Sequence, residues 1–255
     1  MSKGSRFGMA FHQGLGFSSP LMKIPKAEAV FWPGCALLTL DGEILKKTLE
    51  ILRRAEPEIQ LACGCCGQPT VYLFPEKTDK RRTRLVRMLQ KQGVQRIYTA
   101  CPNCTIQLRE LSGFEIIPVW PVLAAHIRPE DLSPAEGSFI WHDPCPTRNQ
   151  PEQKKAARDL LEICHCDCTE PEHTGCSTNC CGNFHMLAAT DPEKSAKMRR
   201  RRLEEFPEDR TVVSSCEGCL GAFRSEPRET VHLLELLFGR SRSRGWGNRI
   251  KTTLK

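Results

Sequence analysis

Arg96-Ile-Tyr-Thr-Ala-Cys101-Pro-Asn-Cys104 and, 115 residues further on, Thr211-Val-Val-Ser-Ser-Cys216-Glu-Gly-Cys219 decide how this chain is read. In each, four residues of strand-forming type run straight into a C-x-x-C pair, and a short helical pattern follows, Thr105–Leu111 in the first copy and Leu220–Arg224 in the second. Working upstream, both copies carry an adjacent pair followed by glycine, Cys65-Cys66-Gly67 and Cys180-Cys181-Gly182. Further upstream, each has a single cysteine behind another strand pattern: Ala29–Trp32 delivers Cys35 through Pro33-Gly34, and Ser138–Trp141 delivers Cys145 through Asp143-Pro144. The gaps are 29 and 34 residues in the first copy and 34 and 34 in the second, and equivalent cysteines are offset by 110, 115 and 115. A pattern of five cysteines recurring in register marks an internal duplication.

Amphipathic helix patterns fill the gaps, Glu43–Arg54 and Glu152–Ile163, and a second, very basic pair follows the adjacent cysteines, Asp79–Gln92 and Asp191–Phe206. Strands alternating with helices predict an α/β fold of two repeated units with mostly parallel sheets, and in such sheets ligands gather at the carboxyl ends of the strands, where these cysteines fall. The expected organisation is an N-terminal extension over 1–27, cysteine-rich units over 28–132 and 133–239, and a basic tail over 240–255.

At 255 residues, 40% hydrophobic and 26% charged, the chain has the balance of a folded protein with a real core. The longest apolar stretch, Phe114–Ile127, is broken by Pro118 and Pro121 and falls short of the ~18 residues a membrane span needs. The opening residues lack a continuous apolar run of the secretory type, which makes the cytoplasm the expected compartment. The net charge of +7 permits anionic substrates or acidic partners without choosing among them.

Fifteen cysteines are too many for ordinary usage and odd in number, and a chain of this size has no need of disulfide staples. Metal binding is the better reading. Thiolates are soft ligands that select zinc or iron–sulfur centres. Structural zinc takes four, whereas each motif supplies five, and the adjacent pairs suit a multi-iron centre in which neighbouring thiolates reach different irons. The candidate ligands are Cys35, Cys65, Cys66, Cys101 and Cys104, then Cys145, Cys180, Cys181, Cys216 and Cys219. No ferredoxin-type run of four cysteines accompanies them.

Cys35, Cys65-Cys66-Gly67 and Cys101-Pro-Asn-Cys104, with Cys145, Cys180-Cys181-Gly182 and Cys216-Glu-Gly-Cys219, resemble the CCG cysteine-rich family, and within it most closely the B subunit of heterodisulfide reductases, over roughly residues 29–239. The resemblance implies a noncubane [4Fe–4S] cluster in each motif, with one of the two sites open to zinc, and a cleft in which a disulfide is reduced. It also implies partners, a ferredoxin-like iron–sulfur subunit and a flavoprotein subunit, that bring the electrons. The alternative it allows is an electron-transfer subunit of a flavin-dependent hydroxyacid dehydrogenase, and a third reading is a zinc-bearing protein with no redox role.

Several residues fall outside the motifs. His142 and His185 are candidate proton donors beside the second set, with a hydrogen-bonded structural role as the plainer alternative. Cys63 reads as a buried thiol, and Cys164, Cys166, Cys168 and Cys176 are dense enough for a further metal site but lack the usual C-x-x-C knuckle spacing. The basic runs Lys80–Arg84 and Lys197–Arg202 fall on helices expected to lie away from the cysteine ends, as solvated faces or docking surfaces for an acidic redox partner, and nothing in them signals nucleic-acid binding.

Overall fold

The computed structural model describes residues 3–17 and 21–254, which divide into two compact units: Met1–Val119 together with Arg242–Lys255, and Trp120–Ser241. In the first unit, helix α1 (Lys3–Gly16) precedes strand β1 (Ala29–Trp32), and then come helix α2 (Gly42–Leu52), strand β2 (Gln60–Leu61), helices α3 (Gln68–Leu73) and α4 (Thr78–Lys91), strand β3 (Arg96–Thr99), helix α5 (Pro102–Arg109) and strand β4 (Glu115–Pro118). All four strands are parallel, in the order β2-β1-β3-β4. Every residue of β1 is buried, as expected for an interior strand of a parallel sheet covered on both faces.

The second unit repeats the plan. Helix α6 (Val119–His126) leads to β5 (Ser138–Trp141), α7 (Pro151–Ile163), β6 (Asp167–Thr169), α8 (Leu187–Thr190), α9 (Pro192–Leu203), β7 (Thr211–Ser214), α10 (Glu217–Phe223), β8 (Thr230–His232) and α11 (Leu233–Phe238). Its sheet is again wholly parallel, in the order β6-β5-β7-β8. The α/β reading of two repeated parallel-sheet units holds. No helix among the described residues is long and apolar enough to cross a membrane.

Local chemistry sets the helix boundaries. Asp41 caps α2 by accepting from Glu43 N, and Asp191 caps α9 by accepting from Lys194 N, with Pro192 at the first helical position, where its missing N–H costs nothing. Helix α2 buries Ile44, Leu45, Leu49 and Leu52 on one face, whereas α4 buries only Leu85 and Leu89 and leaves a broad basic face to solvent.

The two terminal stretches set outside the repeat both fold as helices against the first unit. Helix α12 (Trp246–Leu254) packs on α2 and on the turn 37–39, where Gly245 N and Asn248 Nδ2 donate to the Thr39 carbonyl at 2.9 and 3.1 Å. Helix α1 packs on α3. Gln13 of α1 and Arg249 and Thr253 of α12 are buried.

Candidate metal centre

In both units the chain leaves each interior strand and turns at once into a cysteine. Cys35 and Cys101 follow β1 and β3, Cys145 and Cys216 follow β5 and β7, and the C-x-x-C pairs open α5 and α10, with Cys101 and Cys216 as the residues before the first helical turn. Because neighbouring parallel strands end together, cysteines far apart in sequence meet at the carboxyl edge of each sheet. In the first unit side-chain hydrogen bonds link Cys35 to Cys65, Cys65 to Cys66, Cys66 to Cys104 and Cys104 to Cys101. In the second the chain of contacts is Cys145, Cys180, Cys181, Cys219, Cys216. The structure therefore brings together all five cysteines of each motif, in the same order of contact.

The two clusters share an electrostatic feature. The first cysteine of each adjacent pair is the acceptor. Bonds from the Cys35 and Cys66 thiols, helped by the Gly67 amide at 3.5 Å, hold Cys65 well below the usual thiol range. Bonds from Cys145 and Cys181, with the Gly182 amide at 3.3 Å, do the same for Cys180. The neighbouring Cys35 and Cys145 are pushed up, first by donating to these acceptors and then by burial. Close approach is built into the backbone as well: a Cβ on Gly34, whose φ is +88°, would stand 2.8 Å from Cys104 Sγ.

Around the first cluster stand residues from both ends of the chain. Gln13 Nε2 donates to Cys65 Sγ at 3.5 Å, and its Oε1 accepts from Thr70 Oγ1 at 2.7 Å. Arg81 in turn donates to Thr70 Oγ1. Arg249, 1% exposed, stacks over Trp246 at 4.8 Å and places NH1 3.5 Å from His12 Nε2. Its Nε and NH2 have no hydrogen-bond partner, and no carboxylate pairs with it among the described residues. Burying an unpaired guanidinium is costly, so this site is built to receive negative charge. Burial lowers the His12 pKa, the nearby Cys65 charge opposes that, and the Arg249 charge adds to it.

The second cluster is served differently. Arg202, fully buried, donates from Nε to His142 Nδ1 at 3.2 Å and from NH1 to Glu205 at 2.6 Å. A guanidinium has only protons to give, so Nδ1 is the bare nitrogen and His142 Nε2 carries the hydrogen. Burial, then the Arg202 charge, lowers His142 to about 3, which keeps the ring neutral. His142 Nε2 is buried without a partner, and a His142 ring nitrogen, Cys181 Sγ and Cys219 Sγ all lie within 4.8 Å of one another. By spacing alone these three would suit zinc, but a protonated Nε2 donates and does not ligate. His185, the other candidate, is exposed and stacks on Phe184 at 3.7 Å, apart from that group.

The basic helices lie closer to the cysteines than expected. Arg81 and Arg202 feel the charges of Cys65 and Cys219, and Arg202 is no part of a solvated face. Cys63 is buried, with a side-chain bond to Thr253 of α12. Cys164 and Cys166 touch one another and both donate to the Leu161 carbonyl, at 3.2 and 3.6 Å, while Cys168 adjoins Cys166. These three precede or begin β6 and so lie at the opposite edge of the sheet from the second cluster. Cys176 is exposed, with Lys154 Nζ 2.8 Å from its sulfur.

The residues fit an iron–sulfur centre in kind: the donors are sulfur alone, five to a site, buried or half-buried, with backbone and side-chain N–H groups aimed at the sulfurs. A model of the CCG family, a cysteine-rich domain, matches the chain twice, over residues 29–109 and 139–224. The chain belongs to the CCG cysteine-rich domain family. Each matched segment holds three of the four strands of its sheet and all five cysteines of its cluster, and the membership agrees with the soft-metal chemistry of those cysteines. No curated protein matches the chain. Among solved structures it is weakly similar to the aspartate racemase of Picrophilus torridus (9% identity over 88% of this chain and 98% of that one, TM-score 0.37) and to the glutamate racemase of Campylobacter jejuni subsp. jejuni (14% identity over 82% and 80%, TM-score 0.36). Likenesses this faint bear on neither site nor function.

Proposed function

We propose that this CCG protein is the iron–sulfur subunit of an oxidoreductase that reduces a disulfide, in the manner of heterodisulfide reductase B subunits, with a noncubane [4Fe–4S] cluster held by Cys35, Cys65, Cys66, Cys101 and Cys104 and a second by Cys145, Cys180, Cys181, Cys216 and Cys219. The observation that carries the reading is the repeated, continuous chain of five thiols, one more than zinc uses. When bound, such clusters supply electrons one at a time and an iron to which a sulfur can attach. The chain's own residues do the rest. Gly67 and Gly182 amides and the Gln13 amide donate toward cysteine sulfur and draw charge from it, and Arg249 adds a buried positive charge; both effects ease reduction. Burial keeps water from the sulfurs. Reducing one disulfide to two thiols takes two electrons and two protons, and the electrons come in this reading from a ferredoxin-like subunit and a flavoprotein in the cytoplasm.

The test begins with iron, zinc and acid-labile sulfide per chain after anaerobic purification. About eight irons with matching sulfide are expected, and Cys104→Ser and Cys219→Ser should each remove about four. The dithionite-reduced protein should then convert added disulfide to thiol in stoichiometric amount. Full clusters without thiol release would instead make the chain an electron relay, as in flavin-dependent hydroxyacid dehydrogenases. Four irons and one zinc would confine chemistry to one half, and zinc without sulfide would overturn any redox role.

A further inference from the structure

Helices α1 and α4 of the first unit enclose a groove of about 860 Å³ that no part of the cysteine chemistry uses. Six cations line it, Lys77, Lys80, Arg81, Arg84, Arg87 and Lys91, and no carboxylate does. Apart from the neighbours Lys80 and Arg81 they follow one another at three or four residues, so they line one face of the helix and its first turn, where like charges repel. None of the six takes part in an ion pair among the described residues. The equivalent basic helix of the second unit shows the contrast: its Arg199 pairs with Glu226 at 3.1 Å and its Arg202 with Glu205 at 2.6 Å. The second basic helix has two of its arginines paired with carboxylates, whereas the first is left positive over a concavity.

The groove also has an apolar portion. Phe17, 5% exposed, and Met88 lie in its lining, and Arg81 sits over the Phe17 ring at 5.1 Å. The volume is that of a site for a small organic ligand, and its concavity is unlike the broad, flatter surface a protein partner covers. Arg81 in the wall is joined to the first cluster by three consecutive side-chain bonds, Arg81 to Thr70, Thr70 to Gln13 and Gln13 to Cys65 Sγ.

We propose that the groove between α1 and α4 binds an organic anion bearing a phosphate-type group, and that its occupancy reaches the first cluster through Arg81, Thr70 and Gln13. Multiple phosphate oxygens suit a row of guanidinium and ammonium groups, and the apolar part of the ligand would rest on Phe17 and Met88. An anion at Arg81 opposes the addition of an electron at Cys65, so binding should lower the midpoint potential of the first centre. The binding half stands on the groove alone, and the coupling half rests on the iron–sulfur reading above.

Inorganic pyrophosphate is the probe, since it carries the charge the groove selects. Calorimetry on the full chain with its metal centre loaded should give saturable one-to-one binding that weakens as salt rises. Arg84→Ala with Arg87→Ala should weaken it at least tenfold, while Arg200→Ala with Arg201→Ala, exposed on the other basic helix, should leave it unchanged. Absence of saturable binding, or equal loss in both double variants, would overturn the proposal. So would poly-glutamate binding at Arg84 and Arg87 where pyrophosphate does not, since the groove would then be a docking surface for an acidic protein. Saturating pyrophosphate should shift one centre's potential downward in the parent and not in Thr70→Val; an unmoved potential in the parent removes the coupling. A chain that binds pyrophosphate yet reduces no disulfide upholds the groove and sinks the functional reading, and the reverse result does the opposite.

Discussion

Replacing Arg249 with methionine removes a buried charge near the first cluster that has no counter-charge among the described residues, while keeping most of the side chain's bulk. Gly16 lies between the two groups: a Cβ there would stand 3.4 Å from Cys65 Cβ and 3.5 Å from Arg249 NH2, which puts the guanidinium within about 7 Å of the cysteine. Two unit charges at ~7 Å with an effective dielectric constant of ~20 interact by about 2 kcal/mol. For a one-electron couple that is on the order of 100 mV, since 59 mV is a tenfold change. A nearby cation favours the reduced state, so Arg249→Met should move the midpoint of one centre by about 50 to 100 mV to more negative values and leave the other in place. The assay is a potentiometric titration followed by paramagnetic resonance under strict anaerobiosis, with iron and sulfide counted in the same sample. Arg249→Lys, which keeps the charge, should recover most of the shift. The metal-free chain should respond in the other direction, melting at a higher temperature in Arg249→Met, because an unpaired buried charge has been taken out. A shift under about 20 mV at unchanged iron content, together with an unchanged metal-free melting point, would refute the charge role given to Arg249.

Gly34→Ala sets a Cβ 2.8 Å from Cys104 Sγ at a backbone angle that side chains rarely adopt, and it should halve the iron bound per chain while the second centre stays filled. Gly182→Ala meets the Ser195 carbonyl oxygen at 2.3 Å, backbone that cannot swing aside, and should cost the second unit more than ~3 kcal/mol in urea unfolding. Glu205→Gln leaves fully buried Arg202 without its carboxylate and should destabilise the same unit by about 3 kcal/mol at neutral pH. Burial pushes Glu205 up, but the Asn179 amide and the Arg202 and His173 groups outweigh it and hold the carboxyl below its usual range. Its contribution is therefore complete above about pH 4.3 and lost as pH falls further, so urea midpoints of metal-free parent and variant should converge below about pH 4.

The four interior strands were legible to the residue, Ala29–Trp32, Arg96–Thr99, Ser138–Trp141 and Thr211–Ser214, because each is a compact run of β-branched and aromatic residues stopped by a cysteine turn. Their outer neighbours were not. Gln60–Leu61 and Asp167–Thr169 are two and three residues long, and Glu115–Pro118 merges into the apolar helix after it, so periodicity has nothing to register. The cysteines of each cluster were legible from spacing alone, whereas their electrostatic surroundings were not. Gln13 and Arg249 reach Cys65 from opposite ends of the chain and carry no motif, and the only available hint was the helical spacing of the buried Arg249 and Thr253. Arg202 was hidden inside a run of four arginines that reads as solvent-facing until the fold turns one of them toward His142.

The wrapping of the first unit by residues 242–255 sets an order of biosynthesis. Domains ordinarily fold as they emerge, the earlier one first. Here the ribosome has delivered every residue of the second unit before it makes Arg249 and Thr253, so the later-coded unit has its full complement first. Until then the first unit lacks both the cation near Cys65 and the side chain bonded to Cys63. Maturation of the two centres is thereby staggered, with the amino-terminal one closed by a segment translated after the whole of the second unit.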